Sequence, residues 1–599
     1  MVIYDFECFR HDWLVCWLDT DTRKIHSIVN DKPLLEKMYK HYKNTVWVGY
    51  NSRGYDQWIL KAILCDFNPY EMSDWIINKE QKGFMFSNLL SKFPVMNYDC
   101  AVGFRGLKEL EAFMSDDIRE TEVDFNIDRP LTQEEIDMTL KYCKHDVMET
   151  FKVFVETKSE WESHIGLIKE FRLPWSMISK SKAQLSAEIL GAEPRQWNDE
   201  FDIELPDNII LGKYEFLREH FLDWAANSKN YEEITLETDV AGVPHTFGAG
   251  GAHGAVPNYL GEGYYLMADV ESYYPAGMIE YNFLSRNVRN PKKYRDIRDE
   301  RLKMKIAKDL RQLPRKIVLN ATFGASKDKY NKLYDPKQAN NLCISCQLFI
   351  VDLIEKLEGK CELIQTNTDG ILVKLFSPDD RDMIVNICHE WEKRTRFKLE
   401  FDEYRKVIQK DVNNYIILPS GELYDDKGKE RFKRKGAYVK KLSKIDNDLP
   451  IVNRAIVNYF VHNKPVEETI MESTSLIDFQ KITKISSKYE YGFLEDFKHG
   501  KPHDFVTVKY DKFACSYNEV KTYIGEIVNG KVQRCFASKL ETDGILYKKK
   551  KDKTTLDKTG GTPEHCFIIN DDISNMPIPS KLDRQWYIDL AKKRIDDFV

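Results

Sequence analysis

The stretch LIQTNTDGILV, residues 363–373, sets a short polar core between two apolar runs. Apolar runs that flank a tight polar core are typical of a β-hairpin, so the pattern predicts two strands with Asp369 at the tip. Two interpretations of Asp369 stay open on this stretch alone. It is either a metal-binding carboxylate presented by a catalytic hairpin or a turn aspartate without chemistry.

The composition is that of a large globular chain. Its 599 residues are enough for several domains, and 42% are hydrophobic and 31% charged. No window reaches the roughly 18 apolar residues of a membrane helix, and MVIYDFECF has no basic start, so neither a membrane span nor a signal peptide is predicted. Twelve cysteines without paired spacing predict reduced thiols in the cytoplasm. The net charge of −7 does not indicate whether the chain binds nucleic acid, because the local distribution of charge matters more for binding than the total.

Strand-like and helix-like segments alternate over about the first 155 residues, which predicts an α/β domain. VIYDFE and WLVCWL are expected to pair as strands, VWVGY is a further strand, and Thr132 with Glu135 forms a capping box that opens a helix to Val153. A mostly helical region is expected to about residue 240, followed by mixed strands and helices. The predicted fold class is therefore α/β and α+β, with several domains.

Four acids in three short patterns occupy the N-terminal part. Asp5 and Glu7 in VIYDFE are two apart and project from one face of a strand. Asp56 in NSRGYD begins a helix, and Asp146 in YCKHD lies one helical turn after Tyr142. Carboxylates that converge repel one another unless cations neutralise them, so together the patterns predict a two-metal site for phosphodiester cleavage. Each pattern alone is weak evidence for a catalytic site.

A second set of patterns lies in the middle of the chain. Asp269 ends an apolar strand in DVESYYP, and 47 residues later KIVLNATFG places Lys316 and Asn320 on one helical face. Asp369 follows Asn320 by 49 residues. Two acids with a nearby cation suit metal-assisted phosphoryl transfer. RDERLKMKIAK adds Arg301 and Lys305 on one face of a helix. The alternative is that these two residues form a solvent-exposed charged stripe without a ligand.

The N-terminal patterns resemble the three motifs of the proofreading 3′–5′ exonuclease domain of DNA polymerases, which has an RNase H-like fold. The resemblance implies that four acids bind two metals, that Tyr142 orients the attacking water, and that Lys108 in GLKELEAF lies near the substrate. The acids are Asp5, Glu7, Asp56 and Asp146, and the expected contacts to single-stranded DNA are Asn51 and Tyr55.

The central patterns resemble the family B DNA polymerases of compact phage type. The resemblance implies that Asp269 and Asp369 bind the catalytic metals and that Tyr274 lies under the sugar and excludes a 2′-hydroxyl. Residues expected to contact the incoming nucleotide are Ser272, Tyr273, Tyr274, Arg301, Lys305, Lys316 and Asn320.

Two further segments are implied to contact DNA. FGAGGAHG, residues 247–254, resembles the linker that passes template between the two active sites, with Gly250 and Gly251 in contact. KERFKRKGAYVKKLSK, residues 429–444, holds eight basic residues against one glutamate. It is predicted to be a strand around GAYV and resembles the element that grips the primer duplex, with Lys435 and Tyr438 matching. Phosphate contacts of this kind position DNA without reading its sequence.

The chain departs from the family pattern in three respects. Ala321 and Phe323 replace hydroxyl-bearing residues, and Asn367 replaces the first acid of the hairpin motif. The short spacings leave no room for the insertions of the protein-primed polymerases. Protein priming and intrinsic strand displacement are therefore not implied.

The resemblance implies a virus-encoded, DNA-dependent DNA polymerase with a proofreading exonuclease, acting as a monomer in the host cytoplasm without a membrane. Each site is expected to use two Mg²⁺, with Mn²⁺ as a substitute. Expected partners are primer–template DNA, single-stranded DNA, dNTPs and replication accessory proteins. An exonuclease whose C-terminal region binds nucleic acid without polymerising it is the alternative. The expected divisions are exonuclease 1–155, helical connection 156–240, palm 241–285 and 326–415, fingers 286–325, and thumb with C-terminal region 416–599.

Overall fold

The computed structural model describes residues 1–496, 501–502, 505–511, 516–522, 530–541, 543–550 and 556–598. It is a mixed α/β structure with several domains, as predicted. Within these ranges, no helix is both long and apolar enough to cross a membrane.

The N-terminal part is a five-stranded sheet with helices packed around it. The strand order is β3-β2-β1-β4-β5, with β1 antiparallel to β2 and parallel to β4. The strands are β1 (Val2–Cys8), β2 (Trp13–Asp19), β3 (Lys24–Val29), β4 (Trp47–Gly49) and β5 (Asn97–Asp99). The helices are α1 (Lys32–Tyr42), α2 (Asp56–Leu64), α3 (Pro69–Ile77), α4 (Asn88–Lys92), α5 (Leu107–Met114) and α6 (Gln133–Glu156). The predicted strand pair is confirmed, as is the capping box of Thr132 and Glu135 that opens α6.

A helical region follows, as expected from the sequence. Its helices are α7 (Lys158–Glu170), α8 (Lys182–Leu190) and α9 (Glu215–Asp223). The glycine linker 247–254 then joins two strands of the next sheet.

The central part is a nine-stranded sheet of order β14-β13-β12-β9-β11-β10-β8-β7-β6. Its strands are β6 (Leu236–Val240), β7 (Val243–Phe247), β8 (His253–Ala255), β9 (Tyr259–Val270), β10 (Glu362–Asn367), β11 (Gly370–Leu375), β12 (Leu399–Asp411), β13 (Asn414–Pro419) and β14 (Lys433–Lys435). The helices are α10 (Tyr273–Glu280), α11 (Pro291–Ile306), α12 (Gln312–Lys327), α13 (Pro336–Leu357) and α14 (Arg381–Thr395). The predicted hairpin is confirmed: Asn367 pairs with Gly370 across a turn formed by Thr368 and Asp369.

The C-terminal part combines helices with two smaller sheets, ordered β15-β20-β23-β18-β19 and β17-β16-β21-β22. The strands are β15 (Lys481–Lys484), β16 (Tyr489–Asp496), β17 (Lys501–Pro502), β18 (Phe505–Asp511), β19 (Ser516–Thr522), β20 (Val532–Ala537), β21 (Ile545–Lys550), β22 (Leu556–Lys558) and β23 (Cys566–Ile568). The helices are α15 (Pro450–His462), α16 (Val466–Met471) and α17 (Arg584–Asp596).

The predicted strand around GAYV is wrong. Strand β14 ends at Lys435, and Gly436 has a φ of 106°, which turns the chain. The backbone N–H groups of Val439 and Lys440 then donate to the Gly436 carbonyl, so the segment closes on itself instead of pairing.

A fully buried arginine joins the C-terminal part to the N-terminal one. Arg534 on β20 donates to the carbonyls of Glu111, Ala112 and Asp116 at the end of α5, the last at 2.8 Å. The backbone N–H groups of Ser115 and Asp116 also donate to the Ala112 and Glu111 carbonyls, so the guanidinium adds donors at the C-terminal end of the helix. The contact therefore caps α5 from a segment more than 400 residues away in sequence.

Two candidate acidic active sites

The four N-terminal acids line one open cavity of about 1120 Å³. Asp5 and Glu7 project from β1, Asp56 is the first residue of α2, and Asp146 lies in the middle of α6. The backbone N–H of Phe6 donates to Asp56 Oδ1 at 3.0 Å, which fixes that carboxylate beside β1. The structure therefore brings together the acids that three separate sequence patterns supplied.

The N-terminal cluster is electrostatically unfavourable without added cations. Burial, followed by repulsion from neighbouring carboxylates, raises the pKa of Asp5 and Glu7 well above the usual range. Burial also raises the pKa of Asp56 to about 7 and of Asp146 to about 6. An all-oxygen donor set with surplus negative charge fits hard divalent cations such as Mg²⁺ or Mn²⁺.

Lys108 is the cation closest to this cluster. Its Nζ donates to Asp146 Oδ1 at 2.5 Å and to Glu111 Oε1 at 3.0 Å, and it lies 4.5 Å from the ring centroid of Tyr142. The pKa of Lys108 is raised because these two carboxylates outweigh its burial. Lys108 thus contacts the acid cluster directly, and Glu111, which holds it, was not among the predicted residues.

Asn51 and Tyr55 also line the N-terminal cavity. Asn51 has a φ of 55°, a conformation that asparagine tolerates better than most residues. The Tyr55 hydroxyl shares a hydrogen bond of 2.8 Å with Ser73 Oγ. Tyr55 is therefore oriented by α3 rather than by the acids.

Cys143 is a neighbour of the acids that the sequence did not reveal. Its Sγ lies 3.5 Å from the Asp5 carbonyl and 3.7 Å from Asp5 Oδ2. Burial raises its pKa well above the ordinary thiol value, and the thiol donates to both Asp5 oxygens.

The second cavity, of about 910 Å³, holds Asp269 and Asp369. Asp269 pairs in register with Gly370 on the adjacent strand β11, and the Val270 N–H donates to the Asp369 carbonyl at 2.7 Å. The strand-end acid and the hairpin-tip acid are therefore held together by sheet pairing. Their carboxylates form a second oxygen donor set that fits Mg²⁺ or Mn²⁺.

Gly370 is required for this approach. A Cβ at Gly370 would lie 2.1 Å from Asp269 Oδ1 and 2.8 Å from the Ala268 carbonyl. Any side chain there would displace the Asp269 carboxylate or separate the strands.

Cationic residues of the following helices face the two acids. Arg301 is buried, and its Nη1 donates to Ser272 Oγ at 2.7 Å, while Ser272 itself has a φ of 51° at the start of α10. Lys305 Nζ lies 2.7 Å from Glu400 Oε1 and 3.4 Å from Glu271 Oε1. Lys316 and Asn320, both on α12, line the same cavity.

The two tyrosines of DVESYYP stack on each other, with ring centroids 6.2 Å apart, but their hydroxyls have different partners. Tyr274 donates to the Gly250 carbonyl at 3.2 Å and packs on Phe323 with ring centroids 4.4 Å apart. Tyr273 donates to the Cys346 carbonyl at 2.6 Å in the core. Both tyrosines line the second cavity, although Tyr273 is only 4% exposed. The Phe323 that replaces a tyrosine of the family pattern supports the Tyr274 ring.

The glycine linker runs against the tip of the hairpin. Gly251 has a φ of 138°, and a Cβ there would lie 2.7 Å from Thr368 Cγ2. With Gly250 accepting from Tyr274, both glycines touch the walls of the second site.

The two residues of segment 429–444 that were predicted to contact DNA lie in different surroundings. Lys435 lines the second cavity, whereas the Tyr438 ring packs on Arg594 at 4.4 Å and on Phe598 in the C-terminal core. The turn at Gly436 causes the difference, because it reverses the chain after β14. The structure therefore does not bring Tyr438 to the acids.

Lys433 is a functional candidate that the sequence did not single out. Its Nζ lies 3.5 Å from Asp269 Oδ2 and 3.3 Å from Asp402 Oδ2. Burial raises the pKa of Asp269 even though Lys433 opposes the shift. An additional cation near Asp269 would therefore stabilise its ionised form.

Comparisons with known proteins found a similar solved structure but no match by sequence. No protein-family model matches the chain, and no curated protein matches it by sequence. Among solved structures, the chain is similar to the family B DNA polymerase from the hyperthermophilic archaeon Pyrobaculum calidifontis, with 13% identity, a TM-score of 0.39, and coverage of 100% of this chain and 77% of that one. A similarity at this TM-score carries no argument about activity, so the geometry of the two sites is the basis for assigning function.

Proposed function

We propose that the chain is a DNA-dependent DNA polymerase of family B, of compact phage type, that proofreads with a 3′–5′ exonuclease. The observation that carries this proposal is the register pairing of Gly370 with Asp269, which holds Asp369 and Asp269 together beside a cationic helix face. The separate N-terminal acid cluster supports the second activity. The proposal includes an RNase H-like exonuclease, a right-hand polymerase, the domain divisions predicted above, and a role in viral genome replication.

In the proposed polymerase site, Asp269 and Asp369 would hold two Mg²⁺. When bound, these ions neutralise developing charge and lower the pKa of the attacking hydroxyl. The protein itself would orient the nucleotide: Arg301, Lys305 and Lys316 offer positive charge to the triphosphate. The Nε of Arg301 is buried without a hydrogen-bond partner among the described residues, which leaves a donor for a phosphate oxygen.

Tyr274 would act as a steric filter. Its ring is fixed between Phe323 and the Gly250 carbonyl, so it has little freedom to move away from a 2′-hydroxyl. Rejection of ribonucleotides would then follow from packing.

In the proposed exonuclease site, Asp5, Glu7, Asp56 and Asp146 would hold the metals, which when bound activate water and stabilise the leaving oxygen. Tyr142 lines the cavity, where its hydroxyl could orient the water. Lys108 would keep Asp146 ionised through the 2.5 Å contact.

A primer–template assay with Mg²⁺ tests both activities at once. Extension is expected with dNTPs and shortening without them. Asp369→Asn should abolish extension and leave shortening intact, whereas the pair Asp5→Asn and Glu7→Gln should do the reverse.

Asn367→Asp is the matched control for the hairpin. Asn367 Nδ2 only donates to Gln365 Oε1 at 3.3 Å, so an added carboxylate there should be tolerated. Full-rate extension by Asp369→Asn would refute the assignment of Asp369 to the polymerase site. Shortening without any extension by the wild-type protein would favour the alternative, an exonuclease with a C-terminal region that binds nucleic acid without polymerising it.

A further inference from the structure

Lys61 is a buried lysine in the wall of the N-terminal cavity. It lies on α2, is 5% exposed, and lines the same cavity as Asp56. Among the residues that the structure describes, none offers its Nζ a carboxylate within 4.0 Å or a hydrogen-bond acceptor. The contact found is with the Trp58 ring, whose centroid lies 4.3 Å from Nζ.

Burying an ammonium group without an anion is costly. The other lysine that is buried in the described ranges, Lys337 at 9% exposure, has Glu204 Oε1 at 2.7 Å. For Lys61, burial lowers the pKa to about 8, so the side chain is still mostly charged at neutral pH. A cation–π contact with one tryptophan offers Lys61 the negative face of a ring but no anionic partner, so the ammonium group can still pair with an anion.

The surroundings of Lys61 suit a nucleic-acid strand. The segment around Gly83 packs on Trp58, since a Cβ at Gly83 would lie 2.5 Å from that ring. Lys82 and Phe84 of this segment line the cavity, and Phe84 is exposed. Aromatic surfaces alternating with cations are how proteins hold single-stranded DNA without reading its sequence.

The position of Lys61 indicates which phosphate it would meet. Lys61 is five residues beyond Asp56 on α2, about 7.5 Å along the helix axis. Only the terminal nucleoside lies on the 3′ side of the scissile phosphate, so any second phosphate lies on the 5′ side. We propose that Lys61 binds a backbone phosphate of the single strand in the exonuclease cavity, one or two linkages 5′ of the scissile bond. This inference rests on the proposed exonuclease function.

A neutral-linkage scan tests the proposal. Single-stranded oligonucleotides carry one methylphosphonate at the first, second, third or fourth linkage from the 3′ end. Their dissociation constants are measured by fluorescence anisotropy in Ca²⁺, with intact oligonucleotide verified afterwards. Wild-type protein should lose about tenfold in affinity at one linkage on the 5′ side, the loss of one charge-assisted contact.

Lys61→Met keeps the stem and removes the charge. This variant should bind the unmodified strand about tenfold more weakly than wild type. Its dissociation constant should not change when the methylphosphonate is placed at the linkage that weakens binding by wild type. The slope of log K against log salt concentration should fall in magnitude by about 0.7. Lys61→Gln should behave alike, Lys61→Arg should retain the wild-type profile, and Lys40→Met, which alters a lysine 73% exposed on α1, should change nothing. Primer extension at the wild-type rate verifies that each variant is folded.

The outcomes separate this inference from the proposed function. If wild-type protein does not shorten single-stranded DNA in Mg²⁺, the exonuclease proposal fails and this inference fails with it. If shortening is normal but Lys61→Met and wild type give the same scan and the same salt slope, only the phosphate assignment to Lys61 is refuted.

Discussion

Replacing Gly370 with alanine is a sharp test of the second site, because the change adds one methyl group at the closest approach of the two acids. The added Cβ would lie 2.1 Å from Asp269 Oδ1, whereas ordinary contacts begin near 3.4 Å. The carboxylate must therefore shift by more than 1 Å or the strands must separate. Overpacking of this kind costs about 1–3 kcal/mol of stability.

The expected effect on rate is larger than the effect on stability. A misplacement of about 1 Å of a group that holds the reacting atoms can cost about 10²-fold in rate. Gly370→Ala should therefore lower single-turnover primer extension about 100-fold or more. Shortening of single-stranded DNA should be unchanged, because the N-terminal acids lie in a different cavity.

Gly421→Ala is the matched control. Gly421 has a negative φ and nothing within 4 Å of an added Cβ, so the same chemical change should leave extension intact. Rapid-quench extension is measured for both variants alongside thermal unfolding. Wild-type extension by a folded Gly370→Ala protein would show that Asp269 does not need its present position, which would refute the metal-site geometry proposed here.

Three further outcomes are expected. Tyr274→Ala should raise incorporation of ribonucleotides relative to deoxyribonucleotides by at least about tenfold in competition assays, and unchanged discrimination would remove Tyr274 as the filter. In EDTA, thermal stability should fall as pH rises from about 4 to about 7, because acids with a raised pKa bind more protons in the folded chain than in the unfolded chain. Mg²⁺ should restore the thermal stability at about pH 7.5. Asp5→Asn together with Glu7→Gln should make the stability less dependent on pH. Arg534→Met should cost about 3 kcal/mol in chemical denaturation by uncapping α5, while Arg311→Met, at a site 65% exposed, should cost almost nothing.

Local patterns predicted much of the architecture. The hairpin around Asp369 follows from apolar runs and a polar turn, and the start of α6 follows from one capping box. Such features depend on residues close in sequence. The convergence of Asp5, Asp56 and Asp146 could be expected only from a family resemblance, because no local rule brings a strand and two distant helices together.

The features that sequence reasoning missed depend on distant contacts. Lys433 reaches Asp269 across 164 residues because β14 pairs with β13, and a basic run gives no sign of which lysine turns inward. Lys61 sits in WILKAIL, an apolar run typical of a buried helix, and an unpaired lysine there could have marked the cavity wall. GAYV has strand-forming residues, but the positive φ of Gly436 overrides them.

The cap that Arg534 places on α5 bears on whether the two acidic sites can be separated by cutting the chain. The same helix carries Lys108 at its start, and its last carbonyls are satisfied by a guanidinium from β20. A fragment ending before β20 would keep every acid of the N-terminal cluster yet lose the support of the helix beside it. The N-terminal acid cluster is thus not a detachable module, because the helix beside it is held by a strand more than 400 residues away in sequence.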